Sequence, residues 1–151
     1  LYSYAFNGYW KDVGTIESLW QANMDLLQDE PPFDLSGKWS IYSFNPSMPP
    51  QFVGKEAKIT RSMISEGTMI LGTVEHSVIF PGVRVGKGAV VRNSVLLPSA
   101  VVEDGAVVNY AILAQHAVVE AGAQVIGEES QITVIPEGET VTATSTEQRV
   151  G

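Results

Sequence analysis

Residues 74–124 read VEHSVIFPGVRVGKGAV (74–90), VRNSVLLPSAVVEDGAV (91–107) and VNYAILAQHAVVEAGAQ (108–124), three blocks of 17 residues that align without gaps. The first two agree at 8 of 17 positions, and self-similarity at a fixed period marks a repeat architecture. A weaker, shorter copy covers Ile59 to Thr73. The aliphatic anchors step by 5, 6 and 6 residues: Val74, Ile79, Val85, then Val91, Leu96, Val102, then Val108, Leu113, Val119, then Val125. Such a step suits neither an isolated helix nor a hairpin meander. It suits a short strand followed by a tight corner, three times per coil. Because strand residues two apart share a face, Val83/Val85, Ala100/Val102 and Ala117/Val119 point inward together, as do Ala89/Val91 and Ala106/Val108. Ser77/Ile79, Ser94/Leu96 and Ala111/Leu113 are the inward pairs of the five-residue side. Small residues beside large aliphatic ones fill a narrow triangular interior, with coils stacked about 4.8 Å apart as parallel strands. Gly82, Gly88, Gly105 and Gly122 fall near the corners, where positive φ favours them.

The pattern is the hexapeptide repeat, and it resembles a left-handed parallel β-helix; the handedness is implied by the resemblance, since the general rule for parallel crossovers is right-handed. The chain is thus expected to be mainly β, with the β-helix over 52–127. Met63, Val78, Val95 and Ile112 form an outward apolar row, with Phe80 and Leu97 nearby. That row is expected to be buried against another domain or subunit.

Outside the repeat the composition changes. The chain has 151 residues and a net charge of −8, with an isoelectric point near 4.6. Residues 1–51 and 128–151 each carry −4, whereas 52–127 are neutral. The acidic balance disfavours a nucleic-acid partner, which would need a net basic surface. The absence of cysteine excludes disulfides, thiol nucleophiles and Cys-zinc sites. No apolar run reaches the roughly 18 residues of a membrane span, and Leu1-Tyr2-Ser3-Tyr4 lacks the basic start and apolar stretch expected of a signal peptide. A cytoplasmic location is expected. Since residue 1 is not Met, the chain is read as a piece of a longer polypeptide. Residues 31–51, rich in Pro and Ser, read as an ordered linker. Residues 128–151 read as a final strand near Ile132-Thr133-Val134-Ile135 with a flexible tail from Thr140.

Upstream, Gly8-Tyr9-Trp10-Lys11-Asp12-Val13-Gly14-Thr15 leads into a helix expected over Ile16 to Gln28. Thr15 is its N-cap, and Ile16, Leu19, Trp20, Met24 and Leu27 make an apolar stripe broken by Asn23. Asp12, in a Gly-flanked loop before a helix start, is placed to hold a metal or approach phosphate. An Asx-type turn is the competing role.

This stretch resembles bacterial glucose-1-phosphate adenylyltransferases (ADP-glucose pyrophosphorylases) through Tyr9 to Trp20, Ala22 to Leu27, Trp39-Ser40-Ile41-Tyr42, Asn45-Pro46 and Pro49-Pro50, and on into the repeat. The resemblance implies an enzyme converting ATP and glucose 1-phosphate to ADP-glucose and pyrophosphate with Mg²⁺, serving glycogen synthesis. It implies an α/β nucleotidyltransferase domain of which residues 1–30 are the C-terminal edge. It implies that Asp12 is one of two metal-coordinating carboxylates and that Trp10 lies beside the sugar. A homo-oligomer, a tetramer in the family, is also implied. The Gly-rich nucleotide loop, the second metal Asp and the phosphate-binding lysine of the family have no counterpart in this sequence, so the chain alone is expected to be inert. Residues 93–148 contain no Lys or Arg, which disfavours a phosphate-effector site on the last coils. Arg61, Arg84, Lys87 and Arg92 read as solvated surface charge.

Two other readings stand beside this one. A hexapeptide-repeat acyltransferase needs a histidine base, and the chain offers His76 and His116, both read as surface residues. Two histidines do not complete a three-histidine zinc site. A catalytically silent regulatory subunit of the same pathway is the other.

Overall fold

The computed structural model describes residues 1–33, 35 and 47–143. From Phe52 onward the chain winds in coils of three short strands. The first comprises β1 (Phe52–Val53), β2 (Lys58–Thr60) and β3 (Met63–Ile64), the second β4 (Met69–Ile70), β5 (Thr73–Glu75) and β6 (Val78–Ile79). Next come β7 (Arg84–Val85), β8 (Val90–Arg92) and β9 (Val95–Leu96), then β10 (Val101–Val102), β11 (Val107–Asn109) and β12 (Ala111–Leu113). The last comprises β13 (Val118–Val119), β14 (Gln124–Ile126) and β15 (Thr133–Ile135), with β16 (Thr140–Val141) following.

Every third strand pairs in parallel, giving three sheets ordered β1-β4-β7-β10-β13-β16, β2-β5-β8-β11-β14 and β3-β6-β9-β12-β15. This is the expected β-helix. The register is the repeat itself: Val74 pairs with Val91, Val91 with Val108, and Val108 with Val125. The second coil is two residues shorter, since Ile59 pairs with Val74. Its corner therefore tightens at Gly72, where a Cβ would strike the carbonyl oxygens of Gly86 and Ala89 on the next coil.

The inward pairs expected from the sequence are buried, from Ser77/Ile79 to Ala117/Val119. The buried serines replace backbone groups at one corner: Ser94 Oγ accepts from Ala111 N and Ser77 Oγ from Ser94 N. One corner column carries positive φ at Arg61, His76, Asn93 and Tyr110. The interior opens at the first coil, where inward Val53 and Ile59 are exposed.

Helix α1 spans Ile16–Met24 and continues as a 3₁₀ turn, Asp25–Leu27, one residue short of the expected end. Thr15 caps it in a capping box with Ser18. Of the apolar stripe only Trp20 and Met24 are buried, with Leu27 partly so; Ile16 and Leu19 face solvent. Trp20 and Met24 pack on the outward row Val78, Val95 and Ile112, joined by Ile132, with Met63, Phe80 and Leu97 at the margin. The row that demanded a cover is thus covered by this chain's own helix. Trp20 Nε1 also donates to the carbonyl of Asn93 at 2.8 Å, and its ring meets that of Tyr110.

Near the end, Thr133–Ile135 forms the expected strand. Thr140–Val141 departs from the flexible reading, pairing in register with Val118 and Val119; Val141 packs on the core. The remaining tail, 144–151, lies outside the described residues, as does most of the 31–51 linker, including Trp39 to Tyr42 and Asn45-Pro46.

Candidate active-site edge

The loop before α1 is pinned at two places. At its end, Thr15 binds Ser18 of the helix through its hydroxyl and backbone. At its start, Tyr9 Oη and Lys11 Nζ both donate to one oxygen of Asp25, at 2.9 and 2.7 Å. The other oxygen of Asp25 accepts from Gln21 and Gln28, at 3.0 and 3.4 Å. A carboxylate offers about four acceptor positions, and here all four are used. The Tyr9 ring also lies against Phe33.

Charge chemistry agrees with this geometry. Burial alone would push the Asp25 carboxyl up, but the bonds from Lys11, Gln21 and Tyr9 and the Lys11 charge outweigh it and hold the group below the usual carboxylate value. The Tyr9 hydroxyl is raised, first by desolvation and then by its bond to, and the charge of, Asp25.

Trp10 and Asp12 alternate with those two anchors, and both are presented to solvent, Trp10 at 77% exposure. Asp12 Oδ1 accepts from the Gly14 backbone N–H at 3.1 Å, which is the Asx turn raised as the alternative to metal binding. The turn uses Oδ1, and the side chain is exposed, so the turn leaves the second oxygen available for another role. A side chain at position 14 would crowd Asp12 Oδ1 at 3.3 Å.

Among the described residues no group of three or more His, Asp or Glu is placed to hold a metal. Mg²⁺ wants six oxygen ligands in near-octahedral geometry. Asp12 offers one exposed carboxylate, which by itself falls short of such a set. Asp25 is the residue that sequence reasoning missed.

Other candidates resolve differently. The His76 ring Nδ1 lies 2.9 Å from Asn93 Oδ1 on the positive-φ corner column, and Asn93 donates to Asn109. His116 is exposed at a separate corner. Arg61, Arg84, Lys87 and Arg92 are exposed, and Arg92 pairs with Glu75 at 2.6 Å. A groove of about 430 Å³ lies on another face of the solenoid, between Met69, Leu71, Arg84, Val101 and Asp104, away from Asp12. No described helix is long and apolar enough to cross a membrane.

A short apolar helix carrying an Asp-bearing loop, roofing one side of a three-sided parallel solenoid, defines a hexapeptide-repeat protein with an additional element before the repeat. The chain belongs to the family described as GlmU-like, C-terminal hexapeptide, which matches residues 48–141. Residues 1–29 match the nucleotidyl transferase family. The chain is similar to curated proteins named glucose-1-phosphate adenylyltransferase. Identity is 56% over 93 residues to that of Desulforamulus reducens, 55% over 92 residues to that of Geobacillus stearothermophilus, and 59% over 93 residues to that of Clostridium perfringens strain SM101. The alignments cover 61%, 60% and 61% of this chain but only 23%, 24% and 24% of the relatives. The chain thus spans about a quarter of the length of the curated relatives it matches.

Proposed function

We propose that this chain is the C-terminal portion of a glucose-1-phosphate adenylyltransferase, making ADP-glucose and pyrophosphate from ATP and glucose 1-phosphate in glycogen synthesis. The observation that carries the reading is the succession of a nucleotidyl transferase match at 1–29 and a hexapeptide match at 48–141, joined by a helix that packs on the solenoid. In this reaction a phosphate oxygen of the sugar phosphate attacks the α-phosphorus of ATP; the new P–O bond forms as the bond to pyrophosphate breaks. There is little covalent work for the protein, so catalysis is positioning and charge neutralisation.

Two residues of the loop have roles in that scheme. Trp10 offers its ring face as a wall for the sugar. Asp12 offers its second oxygen as one Mg²⁺ ligand, and Mg²⁺, when bound, would neutralise phosphate charge. The groups that hold the nucleotide lie outside this chain, so the 151 residues alone are inert and serve assembly and regulation. The intact protein is a cytoplasmic homo-oligomer, and its interface lies elsewhere than the row covered by α1.

Pyrophosphate release tests this. The pure 151-residue chain with Mg²⁺, ATP and glucose 1-phosphate is expected to give none above background. A polypeptide extended upstream by the nucleotidyl transferase region is expected to turn over, and Asp12→Asn to lower its kcat by about 10²-fold or more, the loss of several kcal/mol of charge stabilisation. Turnover by the pure chain, or an extended protein indifferent to Asp12→Asn, overturns the proposal. Acyl transfer abolished by His76→Ala or His116→Ala would establish the acyltransferase instead.

A further inference from the structure

Asp25 stands where helix physics disfavours it. It caps the C-terminal end of α1, the negative end of the helix dipole, where a carboxylate is unfavourable and a cation is preferred. The last turn of α1 has no basic residue. The side chain is nonetheless buried, and its charge is balanced by Lys11 from the loop, 14 residues earlier. An acid that breaks a local rule and recruits its partner from a candidate site marks a function beyond helix stability.

We infer that Asp25 is a positioning residue: by holding Tyr9 and Lys11 on one side of the loop, it presents Trp10 and Asp12 on the other and keeps the Lys11 ammonium away from the Asp12 carboxylate. The second effect matters because Lys11 adjoins Asp12 in sequence. A free ammonium there would pair with Asp12 and oppose an incoming divalent cation. This inference rests on the reading of Asp12 as a metal ligand, while the pinning of the loop rests on geometry alone.

The experiment uses the 151-residue chain labelled with ¹⁵N and compares wild type, Lys11→Met, Asp25→Asn and the double variant. Backbone order parameters at Trp10 and Asp12 report the pinning. Broadening of the Gly14 amide by Mn²⁺ alone reports cation access to Asp12. The solenoid amides serve as the folding control in each variant. In Asp25→Asn the order parameters are expected to fall from about 0.85 to below about 0.6. The Mn²⁺ response is expected to weaken about two- to fivefold, the worth of one exposed ion pair. Adding Lys11→Met is expected to restore the Mn²⁺ response without restoring order, which loss of structure alone would not do.

Unchanged order in Asp25→Asn overturns the positioning role. A double variant as weak toward Mn²⁺ as the single one overturns the account of Lys11. A wild type with no Mn²⁺ response at Gly14, together with a loosened Asp25→Asn loop, overturns the account of cation access to Asp12 in this chain and supports the pinning.

Discussion

Replacing Trp20 by alanine should lift the roof off the solenoid without unwinding it. Trp20 is 4% exposed, and a tryptophan buries about 150–250 Å². At about 25 cal/mol per Å² that is about 4–6 kcal/mol gross, in line with the roughly 3–5 kcal/mol lost when a buried tryptophan becomes alanine. The hydrogen bond to the Asn93 carbonyl adds about 0.5–1.5 kcal/mol. What remains on the helix side is Met24 and the half-buried Leu27. With 9 residues, α1 is far shorter than the roughly 12–15 that make even a favourable isolated helix marginal. The solenoid interior includes neither Trp20 nor Met24. Hydrogen exchange is the assay: a loss of 3 kcal/mol lowers protection by about 10²-fold, so amides of 19–27 should lose that much in Trp20→Ala while strands β7 to β14 keep theirs. Unchanged protection in 19–27 would refute the role of Trp20. Loss across helix and strands together would refute the claim that the coils close their own core.

Other changes read the interior and the loop. Leu96→Ala, at a fully buried position, should cost about 2–5 kcal/mol in denaturant unfolding, whereas exposed Arg84→Ala should stay within about 0.5 kcal/mol. Ser94→Ala leaves the buried Ala111 N–H without its acceptor and should cost about 1–3 kcal/mol by the same measurement. Because the folded Asp25 carboxyl lies below its unfolded value, its stabilisation is fully present above about pH 4. That stabilisation is lost as pH falls through the folded value. Unfolding of the α1 region followed downward from pH 5 should show this loss, and Asp25→Asn should remove that share of the pH dependence.

The coils were legible because each inward anchor is named by its spacing: Val74, Val91, Val108 and Val125 are 17 apart in sequence and adjacent in register. The shortened second coil was equally visible as the weaker copy from Ile59 to Thr73. The need to cover Val78, Val95 and Ile112 could be read, but its cover could not. Trp20 meets a corner 73 residues away, and no local pattern pairs one apolar stripe with another. Periodicity marked the stripe but not which part of it meets the solenoid: Ile16 and Leu19 fit the helical period yet are exposed in this chain. At the candidate site, Asp12 stood out through its Gly-flanked loop and Trp10 through the resemblance, whereas no local pattern singled out Asp25. Its partners Tyr9 and Lys11 lie 16 and 14 residues back, too far for helical spacing to bring to notice. Thr140 and Val141 hid in a polar tail because a two-residue strand has no periodicity to show.

The union of loop-bearing helix and solenoid is tested most directly by nuclear Overhauser contacts from the Trp20 indole. Cross-peaks to methyls of Val78, Val95 and Ile112, with slow exchange of the indole N–H, are the predicted result. An indole that exchanges freely and shows none of these cross-peaks would contradict it.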